Sequence, residues 1–237
     1  MNSKGSFSKK FRKIKIKLIN QLSLRDQYDF LKLSDINELS SKEIQEIKEM
    51  YSFFICNISN SVFTISLESA YCIAALIKKT KPTIIWDLGS GFTTWICSYI
   101  TKSANINSNV VTIETNKEWG ETIKKFIQSQ NSSINYHIVE CNELESFLFT
   151  QKMPELIIHD IGDKNNFSIR QNLLPYLGKI CSNGAFLFID DLHKPEINSA
   201  TRNTISKYNL HIQDLSNFTC DEFGRYAWLL IPTNYAS

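Results

Sequence analysis

In this 237-residue chain, carboxylates and glycines fall where short apolar runs end. The run 83–86 leads into Asp87, Leu88, Gly89, Ser90, Gly91, Phe92, Thr93 and Thr94, so two of the eight glycines stand directly behind it. Glycine there permits positive φ and lets a ligand approach the backbone. A helix opening near Thr93 would add unpaired N–H groups suited to a carboxylate or phosphate. Glu114 closes the run 110–113, about two dozen residues after the glycine turn, where a carboxylate can accept both hydroxyls of an adenosine ribose. Thr94 stands where a dinucleotide fingerprint wants a third glycine, which disfavours a nicotinamide cofactor. Asp160 ends another run, and the pair Asp190 and Asp191 ends the next. Three carboxylates at neighbouring strand ends repel one another unless a cation sits among them, and oxygen donors of this kind suit Mg²⁺ better than zinc. His193, His159 and Lys164 are candidate bases nearby, His193 the preferred one because it follows the aspartate pair at a strand end.

Such residues need a scaffold that gathers strand ends. Apolar, β-branched runs at 83–86, 110–113, 136–139, 156–159, 185–189, 210–215 and 226–231 alternate with segments of helical length and periodicity at 67–79, 93–101, 117–129, 168–180 and 197–208. Near-continuous apolar strands separated by helices predict a mostly parallel sheet covered on both faces, a doubly wound α/β fold. Ligands bind such sheets outside the carboxyl ends of the strands, where the strand order reverses. Residues 220–225, before the last run, read as a structural turn. Upstream, Leu33, Ile36, Leu39, Ile44, Ile47 and Tyr51 recur at helical spacing, with Ser34 and Ser40 or Ser41 as N-caps. Their apolar face would cover this chain's own site or meet a second subunit in a homodimer. The first seventeen residues carry seven basic side chains and no acid, a solvated tail or an amphipathic arm through Phe11, Ile14, Ile16 and Leu18.

Composition narrows the class. A 43% hydrophobic content with 21% charged residues excludes a disordered chain. A net charge of +2 is too mild to imply a nucleic-acid partner. No apolar run is long enough to span a bilayer, and no secretory signal is apparent. Six cysteines without a CxxC pair, several inside apolar segments, suit reduced thiols in the cytoplasm.

Taken together, Asp87, Gly89, Gly91 and Glu114 give the chain from Ser61 to Pro232 a pattern that resembles the class I S-adenosylmethionine-dependent methyltransferases, whose first motif is acid, any residue, Gly, any residue, Gly. The resemblance implies a Rossmann-like, mostly parallel seven-stranded sheet with a C-terminal antiparallel hairpin. It divides the chain into a basic arm (1–20), a helical extension (21–62) and the methyltransferase domain (63–237). It implies that Gly89, Ser90 and Gly91 face the methionine part of the cofactor with Asp87 nearby, that Glu114 holds the ribose, and that Asn142 meets the adenine, beside which Trp119 could pack. The run 184–193 resembles the metal-dependent sugar O-methyltransferases, which implies Asp160, Asp190 and Asp191 as Mg²⁺ ligands and a metal-bound hydroxyl of lowered pKa on a sugar or other small molecule. Those relatives offer Asp163 as the base, although they place a single glycine where this chain has Ile161 and Gly162. A metal-free enzyme using His193 or His159, and a non-catalytic binding protein, are the alternatives.

Overall fold

The computed structural model describes residues 28–130, 134–162 and 167–235. The basic arm at 1–20, Asp163 and Lys164 lie outside the described residues. Within them the chain begins with helices α1 (Leu33–Asn37), α2 (Ser41–Asn57) and α3 (Leu67–Thr80). There follow β1 (Ile84–Leu88), α4 (Phe92–Ser103), β2 (Asn109–Glu114), α5 (Lys117–Ser129), β3 (Asn135–Ile138), α6 (Leu144–Thr150) and β4 (Leu156–His159). Next come α7 (Phe167–Ser182), β5 (Phe186–Ile189), α8 (Pro195–Tyr208), β6 (His211–Asp214), the short α9 (Ser216–Thr219) and β7 (Trp228–Ile231).

Local chemistry starts and stops these helices. Ser40 caps α2, accepting from the Glu43 N–H while Glu43 accepts from the Ser40 N–H, a reciprocal capping box. Ser66 and Asn116 cap α3 and α5 in the same way from one side. Pro195 opens α8 at a position where its missing N–H costs nothing, and Asn209 closes it in the left-handed conformation. Ser34, expected as a cap, lies inside α1, whose N-cap is Lys32. Helix α6 is too short to leave a periodic signature, and its place in the sequence gave no expectation of one.

The sheet runs β3-β2-β1-β4-β5-β7-β6, parallel except for β7, which pairs antiparallel with both β5 and β6. Strand order therefore reverses between β1 and β4, and the carboxyl ends of both open onto one crevice. Alternation along the strands sorts the core: Ile85, Ile158 and Phe188 face α3, α4 and α5, whereas Trp86, Ile157 and Leu187 face the layer of α6, α7 and α8. Leu31, Leu39, Ile47 and Phe54 of the N-terminal extension join the first of these clusters, each no more than 3% exposed. The extension thus covers its own chain, with Tyr51 and Phe54 meeting Phe92 at ring separations of 5.2 and 5.5 Å. Leu33 and Ile44 of the same helices stay 58% and 38% exposed. Ahead of α1, the Tyr28 N–H donates to the Ile212 carbonyl (2.7 Å), and the Gln213 amide exchanges hydrogen bonds with the Leu31 N–H (2.7 Å) and carbonyl (2.6 Å).

Candidate active site

Asp87 is the penultimate residue of β1 and fully buried. Its Oδ2 accepts from the hydroxyls of Thr94 (2.6 Å) and Thr112 (3.1 Å), while Oδ1 is buried without a partner. Burial raises its pKa to about 7 against the pull of those threonines, and among the described residues nothing bonds Oδ1. Gly89 follows with φ +99°, and a Cβ there would lie 2.5 Å from the Asp160 carbonyl oxygen. Only glycine lets the turn after β1 and the loop after β4 pass this closely. At Gly91 an added methyl would meet nothing nearer than the Trp119 ring at 3.9 Å, which leaves open space above the first turn of α4.

Glu114 ends β2 and is enclosed by donors. Its Oε2 accepts from the Ser90 N–H and hydroxyl, both at 2.9 Å, and its Oε1 from the N–H groups of Thr115 (2.7 Å) and Asn116 (2.8 Å). The Trp119 indole N–H donates to the Ser90 carbonyl at 2.8 Å, which seats the ring against the glycine turn. Asp87, Gly89, Ser90, Gly91 and Glu114 are therefore brought together at the carboxyl ends of β1 and β2. Asn142 is exposed in the turn leading into α6.

The second half of the site lies after β4 and β5. Asp160, Asp190 and Asp191 do converge, but the cation among them belongs to the chain. Arg170, in the first turn of α7 and 3% exposed, donates to the Asp191 Oδ2 (2.8 Å), to the carbonyls of Asp160 (2.6 Å) and Ile161 (2.9 Å), and to the Asp160 carboxylate. Lys194 bonds the same Asp191 oxygen. Of the expected Mg²⁺ ligands, Asp160 and Asp191 are paired by a guanidinium that fills the space between them, and among the described residues no group of three or more His, Cys, Asp or Glu is arranged to hold a metal. Two of these carboxyls are also pushed in opposite directions. Burial pushes Asp191 up, but Arg170 and Lys194 outweigh it and keep it below the ordinary value, whereas burial and its two acidic neighbours push Asp190 well above.

His159 points into the layer beneath α7. It is fully buried, its Nε2–H donates to the Arg170 carbonyl (2.8 Å), and burial followed by the Arg170 charge lowers its pKa to about 3. A ring enclosed in this way supports α7 and cannot reach an acceptor. His193 is open to solvent on one side, with Nδ1 3.6 Å from the Asp191 Oδ1, and burial keeps it below its usual pKa despite that carboxylate.

The sequence matches no family model and no curated protein. Solved structures do match. An SAH-bound methyltransferase of Podospora anserina aligns over 97% of this chain and 96% of its own, with a TM-score of 0.54 and 10% identity. A Staphylococcus aureus protein provisionally named a caffeoyl-CoA O-methyltransferase aligns over 93% and 99%, at 0.55 and 15%. A methyltransferase from Geobacter sulfurreducens aligns over 83% and 93%, at 0.54 and 10%. The likeness is one of fold. This chain has the α/β architecture of those methyltransferases, with the seven-stranded order and the antiparallel C-terminal strands on which the crevice described above is built.

Two site residues escaped the sequence reading. Arg170 carried one signal, since a cation in the first turn of a helix opposes the helix dipole and needs another reason to be there. Arg225 sat in a segment read as a structural turn. It bonds Asp221 (2.6 Å) and the carbonyls of Ser61 (3.0 Å), Val62 (2.8 Å) and Thr64 (2.9 Å), tying the linker between α2 and α3 to the rim. The adjacent Tyr226 carbonyl accepts from the Leu192 N–H (3.0 Å), so this rim adjoins the aspartate pair.

Proposed function

We propose that the chain transfers a methyl group from S-adenosylmethionine to a hydroxyl of a small molecule, without a bound metal. The observation that carries this reading is the glycine turn between β1 and α4, open above Gly91, with Asp87 beneath it and Glu114 at the next strand end. In it, Gly89, Ser90 and Gly91 receive the methionine part, the unpartnered Asp87 oxygen takes a donor, Glu114 exchanges the Ser90 hydroxyl for ribose hydroxyls, and Asn142 lies toward the adenine. The cofactor supplies a sulfonium methyl group when bound. The chain's own work is to align the acceptor oxygen with that methyl and to remove its proton. His193 is the base we favour. Burial lowers its pKa, which favours the neutral ring a base needs, it borders the crevice, and the Asp191 carboxylate beside it stabilises the imidazolium that forms. Asp163, outside the described residues, stays a second candidate.

The acceptor we favour carries its hydroxyl on a body with an apolar face, a sugar-bearing compound among them. Val62, Phe63 and Phe223 remain 56%, 76% and 45% exposed, and Arg225 links this apolar rim to the crevice by bonding the Val62 carbonyl and lying over the Phe223 ring. The free thiols of all six cysteines suit a reducing cytoplasm.

Isothermal titration with S-adenosylhomocysteine tests the cofactor half. Micromolar binding to the wild type is expected, with at least a tenfold loss (about 1.4 kcal/mol) in Gly91→Ala, whose methyl fits the fold but fills the ligand's space. No binding by the wild type overturns the reading. With an acceptor in hand, His193→Asn should cut kcat by about a hundredfold and leave that affinity unchanged.

A further inference from the structure

The carboxylates after β4 and β5 demand a cation, and the chain has placed one permanently. Resting on the methyl-transfer reading of this crevice, we propose that Arg170 is a positioning residue that stands where a divalent ion would otherwise be needed. Its guanidinium joins the loops after β4 and β5 and keeps Asp191 turned toward His193. The geometry supports this in three ways. Arg170 spends its donors on both loops at once, on Asp191 from one prong and on Asp160 and Ile161 from the others, which a compact ammonium could not do. Its position in the first turn of α7 runs against the helix dipole, so the carboxylates, and not the helix, account for it. Asp191 itself has φ +62°, a conformation uncommon outside glycine, and its side chain is held there by Arg170 and Lys194.

Removing this buried guanidinium takes away the cation that bonds both Asp160 and Asp191 and leaves Lys194 on Asp191 alone, so the repulsion among Asp160, Asp190 and Asp191 favours uptake of a divalent ion from solution. The test is a titration with Mn²⁺, followed by the loss of its free-ion electron paramagnetic resonance signal. The wild type should show no saturable binding up to about 1 mM. Arg170→Ala should bind at least about tenfold more tightly, and the double variant Arg170→Ala/Asp191→Asn should lose that gain. Should circular dichroism show Arg170→Ala unfolded, Arg170→Gln, which keeps most of the volume without the charge, takes its place with the same expectation. Micromolar Mn²⁺ binding by the wild type that disappears in Asp190→Asn overturns the proposal, as does a folded Arg170 variant that gains no affinity. Titrating the same samples with S-adenosylhomocysteine separates this outcome from a failure of the methyl-donor reading, because the ion experiment needs neither cofactor nor acceptor.

Discussion

Asp87 shows how one side chain can couple the site to stability. Burial lifts its pKa to about 7 from the ordinary aspartate value of 3.8, so the folded state keeps a proton that the unfolded chain releases. Between those values folding binds protons, and this residue's contribution falls as pH rises, fully favourable below about pH 4 and spent above about pH 7. In Asp87→Asn the slope disappears. Urea unfolding at about pH 4 and about pH 8 should show the balance moving in the variant's favour by up to roughly 4 kcal/mol over that span. Gly89 makes the contrasting case, since its role is to have no side chain. Gly89→Ala meets the Asp160 carbonyl at 2.5 Å as well as an unfavourable φ, and should lower unfolding free energy by more than about 2 kcal/mol. Both residues were legible in the sequence because a glycine after an apolar run and an acid before it are local signals. Arg170 was not, because what it bonds lies 10 residues upstream and 21 downstream, on two different strands' ends.

Elements were easier to read than side-chain partnerships. The strand Leu156–His159 and the helix Lys117–Ser129 stand where their periodicity put them, and the other strands and long helices shift only at their ends. Helix α6 was invisible for want of length, and the outcome for His159 was decided by pleat: position 159 alternates with Ile158 and so faces α7. A one-residue change of face separates a buried support from a catalytic base. Helices α7 and α8 meet at Gly178, where a Cβ would lie 2.2 Å from Thr204 Cγ2 and 2.9 Å from the Tyr208 ring. Gly178→Ala should therefore cost about 1–3 kcal/mol in thermal or urea unfolding, and through α7 it should disturb the seat of Arg170.

For the whole molecule, one connection is decisive. Arg225 gathers three carbonyls of the linker 61–64 and the Asp221 carboxylate, which is itself 7% exposed. Arg225→Ala would strand Asp221 without its partner and release the linker, at a cost of about 3–5 kcal/mol, with faster proteolytic cleavage at 58–66 as the accompanying measurement. The helices ahead of residue 62 and the sheet that follows share one core, and Arg225 ties the linker between them to the rim. The segment ahead of α1 has another effect. Strand β6 is the last in the sheet, and its outer side is occupied by Tyr28 and Leu31 through the Ile212 carbonyl and the Gln213 amide. An uncovered edge of this kind is a template for strands of other molecules. Gln213→Ala, which cuts the bonds that hold Leu31 over β6, would therefore bare this edge and give a protein that clumps on standing, which makes these few residues guardians of solubility.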